Sequence, residues 1–276
     1  MLGKLIAFDK NGSDIKTMME CMVIIHEFGA NDSISRFQYK RNMELYIEGE
    51  TSMPENEPDG YLEASRNWYN KSKFLRMFGF VGLVASGNKY DNLVLTKRGQ
   101  ALLNCINYSI DVGKFSYSII PNKENEFVGL FIDGLVYGSF GKNNVGLETT
   151  NTDIEYPKII LKSMMTLDYL TSGESFYIAD GMNQGEHNSF EEALQKLTEL
   201  RKQDNYKSIL ETKMASYGND SETSKGRTNY ADDNKMFGLL EQLKIIELIK
   251  SDETGLHKRY RLTDNARKTY ASQFQL

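Results

Sequence analysis

The chain has little of what marks the more specialised protein classes. Its two cysteines, Cys21 and Cys105, are too few for a disulfide framework. Three histidines, His26, His187 and His257, stand apart from one another and from both cysteines, so no zinc-ligand spacing exists. No apolar run approaches the roughly 18 residues that a membrane span requires. The start, MLGKLIAFDKNGSD, lacks the long apolar stretch and small-residue cleavage site of a secretory signal. These absences lead to an expectation of a bacterial cytoplasmic protein with both thiols buried and reduced, and with no membrane partner.

What remains is ordinary globular composition, 40% apolar and 26% charged. A length of 276 residues exceeds the usual span of one hydrophobic core, so two domains are expected, residues 1–150 and 151–276. The net charge of -5 excludes a surface coated in positive charge, but the distribution is uneven. Met43 to Glu63 holds seven acids and no Lys or Arg, whereas Arg66 to Arg98 holds seven basic residues against the single acid Asp91. A second basic cluster comprises Lys225 and Arg227, then Lys258, Arg259, Arg261, Arg267 and Lys268. Such clusters also arise as solvated faces, so their placement on elements decides their meaning.

Apolar periodicity places Ile15, Met18, Met22, Ile25 and Phe28 on one helical face, with Ser13 as N-cap and Gly29 as stop. A second helix is expected between about Ser33 and Tyr46, and a third from Asn67 to Phe78, ended by Gly79. Phe80 to Ala85 and Leu93 to Leu95 then read as two strands around a Ser86-Gly87-Asn88 turn, after which Thr96 caps a helix through Asn104. The same order recurs near the C-terminus. Met236, Leu239, Leu240 and Leu243 mark a helix, Ile245 to Lys250 and Lys258 to Leu262 two strands, and Thr263 opens a last helix. Both hairpins end on Leu-Thr, at Leu95-Thr96 and at Leu262-Thr263, which makes this a diverged internal repeat. Between the repeats, glycine-rich Phe127 to Gly146 reads as a hairpin or covering loop. Helices are expected over Pro157 to Leu170 and over Phe190 to Lys202, the latter opened by a capping box of Ser189 and Glu192. The expected class is mainly α with small β-hairpins (α+β), organised as tandem winged helix-turn-helix domains.

A helix preceded by a basic turn and followed by a basic hairpin suits duplex DNA, because the helix fits a major groove about 12 Å wide while the wing reaches flanking phosphates. In the first half the candidates are Arg66, Asn67, Trp68, Asn70 and Lys71, joined by Lys73, Lys89 and Lys97. Arg pairs with guanine, Asn with adenine, and an apolar ring meets a thymine methyl; Trp68 is equally suited to a core position. In the second half Lys225, Arg227, Thr228, Asn229 and Tyr230 repeat that vocabulary, with Lys258 and Arg259 on the hairpin. Lys97 is read as a phosphate contact and Arg227 as a base reader.

Several short stretches resemble one family. Lys4-Leu5-Ile6-Ala7-Phe8, an Asn-Gly turn and a helix ending in His26-Glu27-Phe28 are similar to the opening of the recognition region of FokI-like type IIS restriction endonucleases. Gly60-Tyr61-Leu62, Phe74-Leu75-Arg76 and Phe78-Gly79-Phe80-Val81 resemble its first winged helix. Gly226-Arg227-Thr228-Asn229 through Asp232 and the helix to Ile246 resemble the second, as in FokI and AlwI-family enzymes. The resemblance implies that two modules together read an asymmetric site while a separate nuclease domain cuts, and that the chain stops where the family continues into that domain. It also implies base contact from an arm at Lys10 and Asn11, beside the turns at residues 66–70 and 225–230.

A nuclease within this chain would need carboxylates around a divalent metal and a lysine on a strand. Asp204, Glu211 and Lys213 have the letters, but QDNYKSILETKMASYG lacks strand character, and the family comparison puts it in a helix or loop. Binding alone needs no cofactor; Mg2+ is implied only for a nuclease domain in the chain or on a partner. The expected partner is double-stranded DNA. Two other readings stay open, a tandem winged-helix transcriptional regulator and a small Mg-dependent nuclease built on those three residues.

Overall fold

The computed structural model describes residues 14–52, 54–56, 72, 74–86, 91–138, 155–218, 235–249 and 253–274. The chain divides into two compact units, one drawn from Asp9–Ser139 and the other from Met1–Phe8 with Phe140–Leu276. Both combine helices with small antiparallel sheets, so the class is α+β.

The first unit is built around α1 (Ile15–Phe28). Its N-cap is Asp14, not Ser13: the Asp14 carboxylate accepts from the Thr17 backbone N–H at 2.8 Å. The expected apolar face is too narrow, because Met19, Cys21, Val23 and Ile24 are also fully buried. A helix apolar around most of its circumference is a central element, and the others pack about it. The second helix begins later than expected. Ser33–Ile34 form strand β1, Ser35 caps α2 (Arg36–Asn42), and a π-helical segment, Met43–Glu48, carries on to Gly49. After helical residues 74–77 come β2 (Val81–Val84) and β3 (Asn92–Leu95), paired in the order β1-β3-β2. Helix α3 (Lys97–Leu103) follows, then a hairpin of β4 (Ile106–Asp111) and β5 (Lys114–Ile119) that the sequence reading did not anticipate.

Phe127 to Gly146 is not a hairpin over its described part. Glu124–Tyr137 is helix α4, with Phe127, Phe131 and Leu135 buried at intervals of one turn. Its glycines suggested turns, but Gly134 is a packing notch: a Cβ there would lie 2.5 Å from Phe78 Cδ1. The notch admits an aromatic cluster in which the Phe131 ring meets Phe78 and Phe80 edge-on at 5.4 and 5.1 Å.

The second unit runs α5 (Tyr156–Thr166), β6 (Leu170–Thr171), α6 (Ser172–Asn183), α7 (Phe190–Leu200) and α8 (Tyr206–Gly218). It closes with α9 (Lys235–Gln242), β7 (Ile246–Leu248), a single 3-10 turn at Gly255–His257, β8 (Arg259–Leu262) and α10 (Asp264–Phe274). Its sheet order is β6-β8-β7, first strand beside third and third beside second, as in the first unit. No described helix is long and apolar enough to cross a membrane.

The likeness of the two units extends to single hydrogen bonds. Each helix before the hairpin ends in a left-handed residue, Gly79 at φ 72° and Lys244 at φ 56°. The next N–H reaches back five residues, Phe80 to the Leu75 carbonyl at 2.8 Å and Ile245 to Leu240 at 2.9 Å. That is the Schellman ending, which satisfies the last helical carbonyls and turns the chain into a strand. The returning strand delivers a threonine whose hydroxyl donates to the left-handed residue, Thr96 to Gly79 O at 2.7 Å and Thr263 to Lys244 O at 2.9 Å. The same oxygens accept from Gly99 N–H and Ala266 N–H, so each threonine also caps the next helix. At the short first strand, buried Ile34 and Leu170 precede the caps Ser35 and Thr171.

Candidate nucleic-acid interface

A surface that grips a duplex needs cations held outward on elements that do not yield. Lys97 meets that requirement: it is the first residue of α3, exposed, directly after the Thr96 cap. Its neighbour Arg98 turns inward and donates from Nη1 to the Phe78 carbonyl at 3.1 Å, fixing the end of the preceding helix. In the second unit Lys258 is exposed immediately before β8. Arg259, the other hairpin candidate, is half-buried and already has protein partners. Its Nη2 donates to Glu253 Oε1 at 2.7 Å, and its guanidinium lies 4.7 Å from the centre of the Tyr169 ring. The remaining candidates, Lys10, Asn11, Arg66, Asn67, Trp68, Asn70, Lys71, Lys73, Lys89, Lys225, Arg227, Thr228, Asn229 and Tyr230, lie outside the described residues.

Beside Tyr169 sits a buried, doubly bonded charge pair. Glu174 is fully buried, and Arg201 grips it with two bonds, Nε to Oε1 at 2.7 Å and Nη2 to Oε2 at 2.9 Å. The Arg201 guanidinium also donates to the Tyr169 carbonyl and stacks on the Tyr169 ring at 4.1 Å. Burial alone would lower the Arg201 pKa, but the Glu174 carboxylate overrides it and holds the pKa above its ordinary value. Glu174 further accepts from Thr171 N–H while its own N–H reaches the Thr171 hydroxyl, a complete capping box at the start of α6. The box expected at Ser189 is half formed, since Glu192 accepts from Asn188 and not from Ser189. Reading the sequence missed α6, Glu174 and Arg201. The Thr171-x-x-Glu174 spacing was available as a signal; nothing local marked Arg201.

Glu211-Thr212-Lys213, with upstream Asp204, does not assemble a nuclease edge. The tripeptide lies on α8, where residues two apart do not face one another. Glu211 meets His257 Nε2 at 2.8 Å, while Lys213 meets Asp180 at 3.4 Å and Glu186 at 2.5 Å. Asp204 is exposed in the turn before that helix. Among the described residues, no group of three His, Cys, Asp or Glu side chains is placed to hold a metal ion.

His187 packs against the backbone of α6, where a Cβ on Gly181 would fall 2.1 Å from Nε2. It is 4% exposed, and neither ring nitrogen has a hydrogen-bond partner of good geometry. Burial first, and then the ammonium of Lys196, push its pKa below the ordinary 6.5. The folded state therefore binds this proton less readily than the unfolded chain does. The stability tied to His187 is complete above about pH 6.5 and is lost as the pH falls toward the folded pKa, with a slope of at most about 1.4 kcal/mol per pH unit. Urea unfolding at pH 7.5 and at progressively lower pH should show this loss in the wild type and a smaller one in His187→Leu; equal losses would remove His187 as the cause.

Compared with protein-family models, with curated proteins and with solved structures, the chain matches none.

Proposed function

We propose that this chain recognises double-stranded DNA through two winged-helix modules, as the specificity part of a type II (IIS) restriction endonuclease whose cutting is done by a nuclease domain elsewhere. The observation that carries the reading is the twofold occurrence of one device. In each unit a helix ends in a Schellman turn, a strand and a wing follow, and a threonine bolts the returning strand to the helix end. The matching sheet orders β1-β3-β2 and β6-β8-β7 support reading each unit as a module that offers a helix to the major groove and a wing to the phosphates.

In this reading Lys97 and Lys258 hold phosphates, and Arg259 fixes the strand that carries Lys258. Base reading belongs to the polar residues around Arg66 to Asn70 and Lys225 to Tyr230, which supply Arg and Asn side chains suited to guanine and adenine. The resemblance to FokI-like enzymes supports an asymmetric target over a palindrome.

Selection from random duplexes tests this directly. An asymmetric consensus bound by a monomer supports the restriction reading; a pseudo-palindrome bound by a dimer would support a transcriptional regulator. No enriched sequence at all would refute both. Lys97→Ala should weaken specific and random duplexes alike and reduce the salt slope by about 0.9, the loss of one phosphate contact. Discrimination by sequence in that loss would make Lys97 a base reader.

A further inference from the structure

Resting on the DNA-binding reading, one oxygen in the second unit stands where a phosphate oxygen would be held. Glu253 Oε1 receives Nη2 of Arg259 on β8 at 2.7 Å and the ammonium of Lys207 on α8 at 3.2 Å. Lys258 is exposed next in sequence to Arg259. Two cations from separate elements therefore converge on one anionic oxygen that comes from the connection between β7 and β8, the wing itself. A guanidinium N–H with an ammonium beside it suits a carboxylate and a phosphate equally, since both offer anionic oxygens at the same contact distance. The Glu253 side chain is 17% exposed, while those of Arg259 and Lys207 are 34% and 44% exposed, so both cations are open to an arriving ligand.

We infer that Glu253 is an internal stand-in for a DNA backbone phosphate: its carboxylate occupies the Arg259 and Lys207 pair in the free protein and gives way when the wing meets a duplex. The stacking of Arg259 on Tyr169 keeps the guanidinium in place through the exchange, because the ring contact does not involve Glu253. The cost of releasing Glu253 is part of the binding equilibrium, so the wing grips weakly until the rest of the module has docked. Arg259 is then a phosphate ligand masked in the free protein.

Removing the stand-in charge tests the exchange. Glu253→Gln should bind a random-sequence duplex at low salt more tightly than the wild type, by roughly fivefold, the upper range for one exposed ion pair. Glu253→Asp, which keeps the charge but shortens its reach, should gain less. The gain should vanish in the double variant Glu253→Gln with Arg259→Met, and be absent in Glu199→Gln, an exposed glutamate that pairs only with Lys202 among the contacts described. Thermal unfolding of each variant establishes that it is folded. Unchanged or weakened binding by Glu253→Gln, with wild-type binding intact, overturns the exchange alone and leaves Glu253 as a tether of the wing. A gain of the same size in Glu199→Gln overturns it too, since net charge then explains the result. Failure of wild type and variants alike to bind any duplex overturns the DNA reading and the exchange together.

Discussion

Glu174→Ala is expected to destabilise the second unit by about 3 to 5 kcal/mol, the cost of breaking a buried ion pair by removing one partner. The size follows from what is left behind. Arg201 would keep a largely buried guanidinium with no carboxylate, and the Thr171 N–H would lose its acceptor. Arg201→Met should be as damaging, because it strands a fully buried carboxylate. Replacing both partners together removes the stranded charge, so the double variant should recover part of the loss, and the two single effects should not add. Urea unfolding of the four proteins measures the coupling. A loss below about 1 kcal/mol for Glu174→Ala would mean that the pair behaves like an exposed one, which its burial contradicts. The effect should also reach binding. The pair holds the start of α6 and the Tyr169 ring, and Arg259 leans on that ring beside Lys258. Under the proposed DNA-binding function, duplex affinity of Glu174→Ala should fall along with its stability.

How far the sequence revealed this arrangement depended on whether the decisive forces were local. The helix end at Gly79 and the threonine caps at Thr96 and Thr263 were legible, because a glycine stop and a cap each impose requirements within a few residues, whereas Lys244 gave no residue-type signal for its left-handed turn. Helix α4 was misread for the opposite reason. Gly134 has the composition of a turn, and only the distant Phe78 ring explains it as a notch. Helix α6 left almost no apolar signal, since Ser172, Gly173, Glu174, Ser175 and Asp180 are among its buried residues. Its burial is sustained by hydrogen bonds, above all those of Arg201, which lies 27 residues from Glu174. The candidate interface was legible as charge but not as partnership. Lys97 and Lys258 are exposed, while the bond of Arg259 to Glu253 and its stacking on Tyr169 join residues that its basic neighbourhood did not announce.

The repeat also predicts where its two copies cease to be interchangeable. Gly99 and Ala266 hold the same place, three residues beyond the threonine and hydrogen-bonded to it. A Cβ on Gly99 would stand 2.2 Å from the Phe80 carbonyl oxygen and 2.8 Å from Leu95 Cδ1. That carbonyl is held by the Thr96 N–H and hydroxyl, both at 3.0 Å, so it does not swing aside. Gly99→Ala must therefore push α3 off the sheet, costing about 3 kcal/mol at the upper end of overpacking, against about 1 kcal/mol gained in helix propensity. The net loss should be about 2 kcal/mol. In the second unit the same position carries a methyl, on Ala266, which is 1% exposed, so Ala266→Gly should also destabilise, by about 1 to 2 kcal/mol from lost burial and propensity. Thermal and urea unfolding of the two variants should thus show losses for opposite changes of side chain. Under the proposed DNA-binding function, Gly99→Ala should weaken duplex binding as well, because Lys97 opens the displaced helix, whereas Ala266→Gly leaves Lys97 undisturbed. A Gly99→Ala protein of wild-type stability would mean that strand and helix stand further apart than 2.2 Å implies, and that the two copies share one geometry.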